Sequence, residues 1–190
     1  MLAIVVGYLL GSIPCAAIVA ARYGVDLRAV GDGNPGAWNA LEQLGARRAW
    51  PAFAGDGLKG TVAGLVGVAL GGVWVGYAGV AAAMVGHALP AFARLRGGKS
   101  VMTFAGGMFA LAPEAALIAV GLCVVVSLAA RSFAWGARVG VVAVVPAQLV
   151  LDGAPATAAT GALMCLIGTL FLVRRSDARA MRATGAAPPP

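Results

Sequence analysis

The sequence predicts an all-α integral membrane protein of about seven transmembrane segments, with its N-terminus outside and its C-terminus in the cytoplasm. Three observations carry that expectation. Of 190 residues, 61% are hydrophobic and only 11% are charged, against roughly 25% charged residues in soluble domains; mean hydropathy is +0.89. Apolar runs recur along the chain between short polar or Gly/Pro breaks. All 14 Lys and Arg residues fall in the breaks that would share one side of a membrane.

The first run, at about 2 to 22, has no Lys or Arg before it, and the residues before Cys15, Ile13 and Pro14, do not form a lipoprotein cleavage sequence. It reads as a retained transmembrane helix rather than a signal peptide. Further runs lie at about 60 to 70, 73 to 93, 101 to 112, 115 to 130, 135 to 151 and 156 to 173. The runs at 60 to 70 and 101 to 112 are shorter than the roughly 20 residues of a full crossing. They are expected either to extend into flanking polar residues or to be half-helices buried among neighbours.

With seven crossings, the cytoplasmic stretches are 22 to 59, 94 to 100, 131 to 138 and 174 to 190, and these hold every Lys and Arg. The outside turns, at Gly71-Gly72, Pro113-Glu114 and Asp152 to Pro155, hold none. An even number of crossings would scramble this positive-inside pattern. One membrane domain over 1 to 183 is expected, followed by a disordered Pro-rich tail, TGAAPPP, at 184 to 190.

The net charge of +7 follows from this sidedness, with anionic lipid headgroups as a second explanation. No nucleic acid partner is needed. Cys15, Cys123 and Cys165 sit in apolar runs without metal-ligand spacing and read as packing residues. His87 is the one histidine, which excludes zinc sites built from several imidazoles. No metal or cofactor is expected.

The predicted topology gathers several polar clusters on the cytoplasmic side. They are DLRAVGDGNPGAWN at 26 to 39, with GSIP at 11 to 14 before it; DGLKG at 56 to 60, at the mouth of the second segment; and GHALP at 86 to 90 with RLRGGKS at 94 to 100. Alone, GDGNPGAWN is ordinary turn composition. Together, the clusters pair glycines, which let backbone N–H groups approach an anion, with fixed cations, and these are the parts of a phosphate cradle. Gly97, Gly98 and Lys99 precede an apolar run, so a helix N-terminus is expected to help. None of the clusters is a Walker-type loop.

In order and spacing, GSIP at 11, DLR at 26, GDGNPGAWN at 31, DGLKG at 56, GH at 86 and GGKSVMT at 97 resemble the motifs of the bacterial acyl-phosphate:glycerol-3-phosphate acyltransferases. Those motifs are GSIP, DLR, GSGNxGATN, DxxKG, GH and GGKGVAT. The match covers about the first 105 residues. It implies a seven-helix membrane enzyme with a cytoplasmic-facing site that moves a fatty acyl group from acyl phosphate to the 1-hydroxyl of sn-glycerol 3-phosphate, yielding lysophosphatidate and phosphate. Neither cofactor nor metal is implied, and the site should open toward membrane lipid to admit the acyl chain.

By the same resemblance, Arg28, Gly33, Asn34, Gly36 and Asn39 frame one phosphate loop, with Ser12 nearby. Lys59 and Lys99 neutralise phosphate, Gly97 and Gly98 shape a second cradle, Ser100 adds a hydroxyl and Thr103 donates from its own. His87 bonds substrate, orients the loop or acts as general base, against the alternative of a helix-end imidazole bonded to backbone. Arg28 paired with Asp26 has a surface ion pair as its alternative. Asp56 is expected to brace a loop or cap a helix rather than to react.

Several positions depart from the motifs. Asp32 and Trp38 replace a serine and a threonine, Ser100 replaces a glycine, Ala134 and Ala137 stand where serines are expected, and Arg175 and Ala178 stand where an HxxN motif is expected. Asp32 places a carboxylate where phosphate needs a donor, and neutralisation by Arg175 or another added cation is expected. The departures keep two other readings open: a non-catalytic membrane protein that binds phospholipid precursors, and a small transporter of a phosphorylated solute. Transport calls for a charge deep in a segment, and none lies near a predicted midpoint.

Overall fold

The computed structural model describes the backbone of residues 1–183 and the side chains of residues 1–172; the predicted tail at 184–190 and the side chains of Arg175 and Ala178 lie outside the described residues. The regular elements of the described backbone are helices, with no strand among them: α1 Leu2–Gly11, α2 Cys15–Ala21, α3 Ala37–Leu44, α4 Ala46–Gly71, α5 Val73–Ala88, α6 Val101–Leu111, α7 Pro113–Ala129, α8 Phe133–Leu151 and α9 Ala154–Ala183. Five stretches are long and apolar enough to cross a membrane: Leu2–Ala21, Ala46–Gly71, Val73–Ala93, Phe133–Leu151 and Ala154–Leu172. The apolar helices α6 and α7 are shorter.

Two segments differ from expectation in ways that build the site. The first is broken between α1 and α2, because Pro14 has no N–H to donate and disfavours helical geometry at Ile13. The second starts far upstream of the apolar run: α4 begins at Ala46, capped by Gly45 in the extended positive-φ region (φ 76, ψ 163). DGLKG is therefore the interior of a helix rather than a loop at its mouth. Pro51, the sixth residue of α4, lies inside the helix and leaves the Arg47 carbonyl without its i+4 donor.

The helices approach closely through small residues, the usual means of packing where surrounding lipid removes the hydrophobic drive between helices. A Cβ at Gly60 of α4 would lie 1.9 Å from the Thr103 carbonyl of α6, and one at Gly106 would lie 1.9 Å from the Gly57 carbonyl. One apolar core joins α5 to α9 through Tyr77, Met84, Phe104, Met108, Val144 and Leu163. A second, of Ala16, Ala20, Leu27, Ala37, Ala40 and Ala52, anchors the 26–36 loop onto α2, α3 and α4.

Polar bolts fasten the far end of the bundle. Gln148 Nε2 donates to the Tyr77 hydroxyl at 2.9 Å, Thr160 Oγ1 donates to Gln148 Oε1 at 2.5 Å, and Tyr77 donates to the Ala156 carbonyl at 3.1 Å. Gln148 and Thr160 are fully buried, and together the bonds tie α5, α8 and α9. Gln148→Leu is expected to lower stability by about 1 kcal/mol, the scale of interhelical side-chain bonds in membranes. Thermal unfolding in detergent checks this, and an unchanged midpoint would show that the bonds contribute nothing.

Candidate active site

The break at Ser12–Pro14 leaves the Ile13 carbonyl outside regular helical pairing, and the Lys59 ammonium donates to it at 3.0 Å. Asp56 and Lys59, three apart on α4, share one face, and their charged atoms meet at 2.9 Å. His87, in the last turn of α5, brings Nδ1 to 3.6 Å from the same Asp56 oxygen. Lys59, Asp56 and His87 are 5%, 1% and 7% exposed. Desolvating such a pair costs more than its attraction usually returns, so a buried ion pair is a weak device for stability. Asp56 is thus neither an N-cap nor a loop brace; it is the counter-ion of Lys59.

These three groups line a cavity of about 10 Å³ with Cys15, Arg96 and Gly98. That volume has room for one water and none for glycerol phosphate.

Gly97 and Gly98 do not present their N–H groups to this cavity. Gly97 N–H donates to the Ala88 carbonyl and Gly98 N–H to the His87 carbonyl, both at 3.0 Å. A Cβ on Gly98 would stand 2.0 Å from His87 Nε2. Their lack of side chains lets the 96–99 segment lie against the end of α5.

Ser12, Asn39, Ser100 and Thr103 are all 0% exposed, and the bonds their side chains make in this structure are internal. Ser12 Oγ donates to the Tyr8 carbonyl at 2.8 Å and accepts from Ala91 N–H at 3.2 Å, bracing the break against the 91–93 turn. Ser100 has φ 62, a conformation that suits glycine, the residue of the resembled motif. The Ser100 hydroxyl offsets that by donating to the Met84 carbonyl at 2.7 Å. Thr103 lies at the α4–α6 contact, its hydroxyl buried with no hydrogen-bond partner in the described structure.

The 26–36 loop is shaped from within. Asn39 Nδ2 points at the carbonyls of Leu27, Val30 and Asn34, at 2.9, 3.0 and 3.1 Å. Gly31 and Gly33 take φ of +61° and +70°, and Gly36 caps α3. Arg28 is exposed; its contact with Asp26 runs through its backbone N–H at 2.9 Å, while its guanidinium donates to the Arg96 carbonyl at 3.1 Å. The loop and the 90–99 segment are thereby joined.

Lys99 has a different partner from Lys59. Its ammonium donates to Asp32 Oδ2 at 2.8 Å and stands 5.9 Å from the centre of the Phe171 ring. Among the described residues, Asp32 is therefore paired with the lysine expected to serve phosphate; the side chain of Arg175 lies outside them. Trp38 stacks on Phe133 with ring centroids 5.7 Å apart and donates from Nε1 to Glu42 at 2.8 Å.

Beyond Lys99 opens a feature that sequence reading missed. An apolar cavity of about 470 Å³ lies among α4, α6, α7 and α8, lined by Phe53, Val101, Met102, Cys123, Phe133 and Ala137 among others. Hydropathy shows that a helix is apolar but not that a gap lies beside it. The break at Ser12–Pro14 was missed as well, although Pro14 inside an apolar run is a signal that could have found it; the Asp56–His87 contact had no local signal.

Comparison with known proteins places the chain in a family. The family model described as glycerol-3-phosphate acyltransferase matches residues 1–183. Glycerol-3-phosphate acyltransferase of Rubrobacter xylanophilus is 44% identical over 156 residues, 82% of this chain and 78% of that protein. The Thermus thermophilus protein of the same name is 38% identical over 180 residues, 94% of this chain and 89% of its own. The crystal structure of PlsY (YgiH), an integral membrane glycerol 3-phosphate acyltransferase, in its glycerol 3-phosphate form superposes with a TM-score of 0.77 at 31% identity, covering 97% of this chain and 92% of that chain. Its lysophosphatidic acid form superposes with a TM-score of 0.74 at 30% identity, over 97% and 91%. With the motifs in register and the match spanning almost the whole chain, this protein belongs to the glycerol-3-phosphate acyltransferase family and is an integral membrane enzyme.

Proposed function

We propose that this enzyme transfers a fatty acyl group from acyl phosphate to the 1-hydroxyl of sn-glycerol 3-phosphate, giving lysophosphatidate and inorganic phosphate. The observation that carries the reading is the apolar cavity of about 470 Å³ whose wall includes Val101, two residues beyond the exposed cation Lys99. An acyl phosphate has those two parts, a chain to bury and a phosphate to neutralise. The acyl chain occupies the cavity, and Lys99 meets the phosphate at its mouth, with Arg28 on the adjoining loop.

The hydroxyl oxygen attacks the acyl carbonyl carbon, the bond from that carbon to the phosphate oxygen breaks, and phosphate departs with the electron pair. The hydroxyl proton passes to the departing phosphate directly or through His87, whose Nδ1 faces Asp56. Lys59 supplies a fixed, dehydrated positive charge, which acts more strongly there than in water. The 10 Å³ cavity around it has to widen to admit the acceptor, and the segment over it includes Arg94 and Leu95 at φ of 53° and 58°. Gly33, Asn34, Gly36 and the positioning residues Ser12, Asn39, Ser100 and Thr103 hold the frame.

The placement proposed in the bacterial cell membrane has seven crossings, α1–α2 together, then α4 to α9, with the N-terminus outside and the site facing the cytoplasm. The distribution of Lys and Arg supports it. Purified protein in detergent, given palmitoyl phosphate with and without sn-glycerol 3-phosphate, is expected to release phosphate only with the acceptor. Lys99→Ala is expected to reduce that release by about 100-fold, the scale of one electrostatic stabiliser in a transition state. Acceptor-independent release, or none across several donors, would overturn the reading.

A further inference from the structure

We infer that Asp32 is the resident anion of a phosphate site at Lys99, and that it sets how tightly this enzyme holds phosphate. The inference rests on the reading that Lys99 meets a substrate phosphate. The two oxygens of Asp32 are each engaged: Oδ1 accepts the Asn34 backbone N–H at 3.0 Å and Oδ2 accepts the Lys99 ammonium at 2.8 Å. A backbone amide in a glycine loop and a lysine are the donors from which anion sites are built. The carboxylate thus stands where an incoming phosphate would find its partners.

Position 32 is serine in the resembled motif, so the charge departs from that motif. The surrounding loop is fixed independently of Asp32, since the Asn39 amide holds the carbonyls of Leu27, Val30 and Asn34. Lys99 is bounded on another side by the Phe171 ring. Both charged side chains are about two-fifths exposed, at 42% and 41%, so the pair opens without stranding a buried charge. Exposed pairs of this kind are weak, and the resident anion is displaceable.

Displacement has a consequence for both ends of the reaction. A bound phosphate has to take Lys99 from Asp32 and then lie beside the carboxylate, which weakens substrate binding and speeds departure of the phosphate product. Asp32 is in this sense a specificity-determining residue that acts through Lys99, raising KM and lowering product inhibition.

The test uses inorganic phosphate as the probe and the full chain in detergent, with binding read by calorimetry or phosphorus NMR and inhibition read in turnover. Asp32→Asn keeps an acceptor for the Asn34 N–H and removes the charge; Asp32→Ser installs the residue of the resembled motif. Both are expected to tighten phosphate binding by about 10-fold at low salt, from the loss of one like charge a few ångströms away. The gain should shrink at high salt and vanish when Lys99→Ala is added. KM for a phosphate-bearing substrate should fall with no rise in kcat. Unchanged or weaker phosphate binding in both folded variants, or no saturable binding in any of them, would overturn the inference. Direct binding needs no turnover, so a wild-type protein without acyl transfer would sink the functional reading separately.

Discussion

Lys59→Ala is expected to eliminate measurable turnover and to destabilise the protein by about 3–5 kcal/mol, the cost of leaving one partner of a buried ion pair uncompensated. The side chains of Lys59 and Asp56 are 4% and 2% exposed, so the stranded carboxylate has little access to water. The Ile13 carbonyl loses its side-chain donor as well, and the break that positions α2 loosens. A double variant, Lys59→Met with Asp56→Asn, separates the two effects. Removing both charges together avoids the stranded ion, so thermal unfolding in detergent should return toward the wild-type midpoint, while acceptor-dependent phosphate release should stay absent. Turnover near the wild-type rate in the double variant would reduce the pair to a structural feature and move the chemistry elsewhere.

The helical membrane architecture was legible because it depends on properties that sum along the chain. Hydropathy marks the apolar segments, and the scarcity of charge excludes a solvated surface for them. Pro14 could have marked the break in the first segment by the same local logic, but 2 to 22 reads as one helix. The site was less legible because its parts belong to different helices. Lys99 and Asp32 are 67 positions apart, and an ammonium that motif order assigns to phosphate turns out to be held by a carboxylate at the position of a motif serine.

Glycine admits two readings here. In a soluble loop, a glycine-rich run beside a lysine points to an exposed backbone that receives an anion. In a bundle packed through small residues, glycine equally marks where one backbone lies against another. Gly97 and Gly98 are of the second kind, their N–H groups bonded to the end of α5. Asp56 was misassigned for a related reason: an average over a window that includes Arg47, Arg48, Asp56 and Lys59 reads as a polar loop, yet α4 continues through it and turns Asp56 and Lys59 inward.

Gly60→Ala carries that argument to a measurement. A Cβ at residue 60 would meet the Thr103 carbonyl oxygen at 1.9 Å, its carbon at 2.9 Å and the Gly107 nitrogen at 3.0 Å, all backbone atoms. No rotamer change relieves such a contact, so α6 has to move away from α4. The helix is not free to do so, because Ser100 ties its start to Met84 and Thr61 Oγ1 donates to the Gly106 carbonyl at 2.7 Å. A loss of about 3 kcal/mol is expected, at the upper end of ordinary overpacking, together with loss of acyl transfer. Gly121→Ala is the control: nothing lies within 4 Å of a Cβ there, and the change should stabilise α7 by up to about 1 kcal/mol through helix propensity. Equal unfolding midpoints for the two variants would mean that α4 and α6 are further apart than described. A low midpoint for Gly60→Ala alone would show that a missing side chain sets the spacing between the helix that carries Lys59 and the helix that follows Lys99, and hence the separation of the two cations on which the proposed chemistry depends.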